Sequence, residues 1–169
     1  MKKLPLFLLL MLFFPIARAQ DSTKVLHASL AAAAPKIDGL LDDEVWKNVE
    51  SVTEFTQKEP VEGGKPSQKT EVKVVYDNYA VYVGTMLYDT SPDSILHELG
   101  NRDDEELNAD YFRFVIDPYH NQQDNYAFQI YASGVQLDNR YSDYTYNAVW
   151  ESAVKILSNG WSVEIKIPY

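Results

Sequence analysis

The chain has 169 residues, 46% of them hydrophobic and 13% aromatic, with 15 Lys+Arg against 25 Asp+Glu and no cysteine. A net charge of −10 repels phosphate backbones, so nucleic acid is not an expected partner. The lack of Cys excludes disulfides, thiol chemistry and lipoprotein acylation.

Lys2 and Lys3 precede an apolar run from Leu4 to Ile16, and Ala17-Arg18-Ala19 follows with small residues at the cleavage positions. This predicts a secretory signal peptide over residues 1–19, cut before Gln20. Export without disulfides fits a bacterial envelope protein that is periplasmic, outer-membrane-associated or extracellular. The signal holds three of the 15 basic residues, so 12 remain against 25 acidic ones. Such a surface suits neutral ligands or divalent cations, and the length suffices for one domain.

Residues 20–34, ending in four alanines, read as a flexible or loosely packed lead-in to a domain over residues 35–169. Asp38-Gly39 is a turn dipeptide, after which Asp42 or Asp43 can cap a helical turn that carries Val45 and Trp46 onto a core. Val52 to Gln57 reads as a strand, and the Pro- and Gly-rich stretch 58–67 as a loop. Thr70, Val72, Val74 and Tyr76 alternate with Glu71 and Lys73. Val81 to Tyr88 is apolar on both faces, as a central strand must be. Asp89 to Glu106 is irregular, with a short helix expected around Ser94 to Leu99. Phe112, Phe114 and Ile116 then face a core while Tyr111, Arg113 and Val115 face away, and Tyr126, Phe128 and Ile130 repeat the device.

Strands at Trp150–Leu157 and Trp161–Ile167 flank Ser158-Asn159-Gly160, an expected hairpin whose Asn-Gly supplies positive φ angles. In the second strand Trp161, Val163, Ile165 and Ile167 are expected to be buried, opposite Ser162, Glu164 and Lys166. Roughly nine short strands predict an all-β fold: an antiparallel two-sheet β-sandwich, jelly-roll-like, with short helical turns. A core-facing strand followed only by Pro168-Tyr169 predicts that the natural protein continues past Tyr169.

The ordered pieces Ile37-Asp38-Gly39, Asp42-Asp43, Trp46, Thr70-Glu71-Val72, Tyr76-Asp77 and Val81-Tyr82-Val83-Gly84 are distinctive together. So are Asp110-Tyr111-Phe112, Asp117-Pro118-Tyr119-His120, Gly134 to Asp138, Val149 to Ala153, and Gly160-Trp161 with Ile167-Pro168. Over Ala34 to Pro168 the chain resembles the family 9 carbohydrate-binding modules, in the version found at the N-terminus of bacterial outer-membrane proteins of unassigned function. The resemblance implies a sugar-binding β-sandwich, sometimes with structural calcium and often attached to glycan-degrading enzymes. In the outer-membrane version a C-terminal membrane β-barrel follows the module.

Sugar binding needs flat apolar surface and planar hydrogen-bonding side chains. Trp46 and Trp161 lie on apolar stripes and read as core. The best exposed set is Tyr141, Tyr144 and Tyr146, with Arg140, Asp143 and Asn147 to meet hydroxyl groups, and with Trp150 facing either the core or a cleft mouth. Tyr119, His120, Tyr88 and Arg102 form a second group. For calcium, Asp103, Asp104, Glu105, Glu106 and Asp110 can supply part of an oxygen shell, although no EF-hand spacing is present.

Catalytic signatures are absent, and Asp110 and Asp117 fall on opposite faces of a strand, where they cannot straddle one glycosidic bond. The expected function is therefore non-catalytic binding of a polysaccharide or oligosaccharide, with glycoside hydrolysis left to partner domains. Three rival readings are a structural or interaction module without sugar binding, a haem-binding electron carrier, which needs axial ligands at a cleft whereas Met86 lies mid-strand and no His motif stands out, and a glycosidase in its own right.

Overall fold

The computed structural model describes residues 24–141, 143 and 145–169; the expected signal peptide lies outside them. Among the described residues eight strands, rather than roughly nine, form two sheets. The larger contains β1 (Ser29–Leu30), β2 (Thr70–Tyr76), β3 (Ala80–Tyr88), β8 (Gly160–Pro168) and β7 (Glu151–Leu157), in the spatial order β1-β2-β3-β8-β7. The smaller is β4 (Tyr111–Ile116), β5 (Tyr126–Tyr131) and β6 (Gln136–Arg140), in that order. All pairings are antiparallel except β1 with β2. The expected sandwich is the one observed.

Between the sheets lie Val72, Val74 and Val83 from one layer's early strands and Trp161, Val163 and Ile165 from β8. Phe128 and Ile130 meet them from β5, with Phe112, Phe114 and Ile116 packed alongside from β4. These are the residues that period-2 alternation points inward.

The larger sheet is covered on its other face as well. Trp46, in the single helical turn α1 (Glu44–Lys47), packs with Ala31, Val75, Ala80 and Tyr82 in a second core. Gly84 permits this approach, because a Cβ there would stand 2.9 Å from Leu41 and 3.2 Å from the Trp46 ring. Two covered faces explain why β3 is apolar on both sides.

Several local expectations are corrected. Residues 52–57 form no strand: Val52 makes one bridge to Val72 and Gln57 one to Gly64, and between them the Phe55 amide turns back to donate to Thr53 O at 3.1 Å, which breaks the extended run. The helix expected over Ser94–Leu99 is instead a 3-10 turn at Pro92–Ser94, and His97 bridges to Ala109. Asp43 precedes α1, but its carboxylate accepts the Lys36 amide at 2.7 Å rather than capping the helix. The β7–β8 turn is Ser158-Asn159, and only Gly160 takes a positive φ, at 139°. The lead-in is docked at its end, where Ala31 is buried and its amide donates to Tyr76 O at 2.8 Å.

The largest departure is Glu164. Expected on a solvent face, it is 0% exposed, because the segment 35–46 lies over it. Its carboxylate accepts the Asp38 amide (2.9 Å), the Gly39 amide (2.8 Å) and the Trp46 indole (2.9 Å). Ser162, on the same face, donates to Gly39 O at 2.6 Å. Burial raises the Glu164 pKa, against the opposing pull of the Asp38, Trp46 and Gly39 donors. The opening and closing motifs of the chain are thus one structural unit.

Candidate functional site

The outer face of the smaller sheet is only partly covered: Tyr111, Arg113 and Val115 on β4 are exposed, while Ala127, Gln129, Tyr131 and Leu137 on β5 and β6 are buried. Register sets its rows: Tyr111 opposite Tyr131, Arg113 opposite Gln129 and then Leu137, and Val115 opposite Ala127 and then Asn139. Arg113 Nη2 donates to Asn139 Oδ1 at 3.2 Å, and Nη1 donates to Gln129 Oε1 at 3.4 Å. The Tyr111 and Tyr131 rings meet edge to face, 5.9 Å apart at 69°. Tyr131 is buried and Tyr111 is 55% exposed, so one ring forms a wall and the other offers surface.

The loop before β4 turns this face into a hollow. Asp103 N donates to Gln136 O at 2.9 Å, and the Tyr131 hydroxyl donates to Asp104 O at 3.0 Å. Glu105 and Leu107 then stand as a rim beside Tyr111, Arg113, Gln129, Tyr131 and Leu137, around a concavity of about 250 Å³. Burial raises the Tyr131 pKa, with the Asp104 carboxylate adding to it, so its hydroxyl stays a donor. An exposed aromatic ring beside an exposed guanidinium and the half-buried Asn139 carboxamide offers what a sugar requires: a face for C–H groups and planar partners for hydroxyls.

The loop singled out in the sequence is arranged differently. Trp150 is buried at 6% exposure, edge-on to Phe128 at 5.4 Å, with its indole donating to Asp138 Oδ1 at 2.9 Å. It is a core residue. Tyr146 is half-buried against Tyr126, with ring centroids 5.3 Å apart. Arg140 lies over the same Tyr126 ring at 5.4 Å and donates to Asp124 at 3.3 Å. Asp143 accepts both the hydroxyl and the amide of Thr145, which hold its pKa low. Tyr141, 63% exposed, and Asn147 face solvent, while Tyr144 lies outside the described residues. No aromatic pair is displayed here among the described residues.

The second group is divided too. Arg102 is drawn to the buried Asp138 carboxylate and to Gln136, and the Tyr88 hydroxyl donates to Glu71 at 3.2 Å; Tyr119 and His120 are exposed on the β4–β5 connection.

The expected calcium shell is not assembled. Asp103 accepts the Asp138 amide at 3.2 Å, Asp104 accepts the Glu106 amide at 3.0 Å, and Asp110 accepts the Leu96 amide at 3.3 Å, while Glu105 sits on the rim. No three His, Asp or Glu side chains converge among the described residues. Met86 lies mid-strand in β3 and is buried in the larger sheet, not at a cleft mouth. Asp117 accepts the Gln122 amide at 2.7 Å, and this bond with those of its neighbours lowers its pKa.

Sequence reasoning placed Tyr111 and Arg113 outward and took them no further. The available signal was the outward set of two successive strands: rings, a guanidinium and a carboxamide where solvated strands usually alternate Lys, Glu and Thr.

The comparisons with known proteins agree with this fold. Residues 37–169 match the family model described as carbohydrate family 9 binding domain-like. Two solved structures share the fold, both titled as family 9 carbohydrate-binding modules from Caldicellulosiruptor kristjanssonii. The one in complex with cellotriose is 20% identical with a TM-score of 0.58, covering 83% of this chain and 66% of its own. The one in complex with glucose is 17% identical with a TM-score of 0.60, covering 84% and 67%. The chain therefore spans about two thirds of the length of these modules. No curated protein matches it.

Proposed function

The chain belongs to the carbohydrate family 9 binding domain-like family, and on that premise we propose that it is a non-catalytic carbohydrate-binding module whose platform is the outer face of β4–β6. The observation carrying this reading is the hollow in which Tyr111 presents its ring beside Arg113, Gln129 and Tyr131. The floor is pre-arranged, since Arg113 is already held by Gln129 and Asn139, so little side-chain ordering remains to be done on binding. Glucose and cellotriose, held by the two Caldicellulosiruptor modules, are the first ligands to test.

Export rests on the Lys2–Ala19 pattern and places the module on the envelope side or outside the cell. Its role there is to hold glycan for a partner domain that carries out hydrolysis or uptake, and a membrane β-barrel is one such partner. Isothermal titration of the full chain with cello- and xylo-oligosaccharides tests the binding step. Saturable heat that Tyr111→Ala removes supports the platform. Folded protein giving no heat with either series favours a structural module without sugar binding.

A further inference from the structure

The hollow is electrically polarised. Arg140 pairs with Asp124, and Arg102 with Asp138 and Asp103. Lys36, Lys47, Lys69 and Lys166 each pair with a neighbouring carboxylate as well. Of the arginines among the described residues only Arg113 forms no ion pair; Lys24, Lys58, Lys65, Lys73 and Lys155 also form none, but Arg113 is the one such cation that lines the hollow. Its two hydrogen bonds go to the neutral acceptors Gln129 Oε1 and Asn139 Oδ1. A guanidinium has five N–H donors, so three remain for a ligand, on a group that is oriented but not neutralised. The one acidic side chain lining the hollow is Glu105 on the rim loop, whose charge contributes to raising the pKa of Tyr131 rather than reaching Arg113. The cation therefore lies on the sheet floor, in the row beside the Tyr111–Tyr131 pair.

Taking the carbohydrate reading of this face as its basis, we infer that the preferred ligand is an acidic glycan, held against the long-range repulsion of the net negative chain by a local contact: a uronic-acid residue whose carboxylate docks on Arg113 while its ring lies on Tyr111. A carboxylate matches the planar fork of Arg in a way that a hydroxyl does not, and a charge-assisted hydrogen bond is worth roughly twice a neutral one. Glu105, at the rim, accepts sugar hydroxyls and opposes a second carboxylate there, which sets the direction of the chain.

The test is calorimetric titration of the full chain with cellobiouronic acid, its neutral methyl ester and cellobiose. The acid should bind about tenfold more tightly than the ester. That preference should shrink in about 0.5 M salt and collapse towards equality in Arg113→Gln, while Glu105→Gln should strengthen acid binding. Arg113 is exposed, so the variant keeps its fold, and a thermal unfolding curve confirms it. Equal affinities for acid and ester, or a preference that survives Arg113→Gln, overturn the acidic-glycan inference and leave the platform standing. If none of the three sugars binds, the platform reading falls with it.

Discussion

The two sheets have opposite outer faces. That of the larger sheet is closed by residues 35–46, with Trp46 seated on Gly84 and the Glu164 carboxylate accepting three N–H donors. That of the smaller sheet is partly open, with Tyr111 and Arg113 exposed in register with the buried Gln129 and the half-buried Asn139. Both faces mix aromatic and polar side chains, but in the closed one the polar groups are consumed by the protein itself. A buried polar network fixes structure; a partly satisfied one at a surface is available to a ligand. The difference assigns stability to one side of the molecule and the proposed recognition to the other.

The comparison breaks most visibly at Trp46. Trp46→Ala should destabilise the domain by about 3–5 kcal/mol, through lost burial and an unpartnered carboxylate oxygen, with denaturant unfolding as the readout. Sugar binding by the protein that stays folded should be unchanged. On the open face the pattern inverts. Tyr111→Ala should weaken binding by roughly ten- to thirtyfold, as for a central aromatic anchor, while shifting stability by no more than about 0.5 kcal/mol.

A smaller effect concerns pH. Glu164 has a raised pKa in the folded state, chiefly through burial, so it binds its proton more tightly there than in the unfolded chain. Its protonation therefore contributes stability that is present at acid pH and is lost as pH rises through the folded value. Glu164→Gln mimics the protonated form. Relative to that variant, the native protein should lose stability with rising pH above the ordinary Glu range, and parallel unfolding series for the two proteins measure it. The smallest effect is expected at Tyr141: Tyr141→Ala should alter sugar affinity less than twofold, because this exposed ring has no displayed partner.

Much of the fold was legible in the sequence because alternation is local. The double-faced apolar run of β3 marked the centre of the larger sheet, and Phe112, Phe114 and Ile116 marked the inner face of β4. Glu164 was not legible. Period 2 places it beside Lys166, and only a segment 126 residues upstream makes it buried. The site was half legible for the same reason. Alternation turned Tyr111 and Arg113 outward, but their alignment with Gln129 and Asn139 is a fact of register across three strands. The Tyr141–Asn147 loop looked exposed because it is polar, yet Tyr146 is held in by Tyr126, and Trp150 by Asp138 and Phe128. Arg102, grouped in the sequence with Tyr119, His120 and Tyr88 as a second candidate set, is the cation that accompanies the buried Asp138.

The account is tested most directly by a nitrogen-15 chemical-shift titration of the full chain with cellotriose. It predicts saturable shifts centred on Tyr111, Arg113, Gln129 and Asn139, with the Asp38, Gly39 and Trp46 indole signals unmoved. Shifts confined to Tyr141–Asn147, or none at saturating sugar, would contradict it.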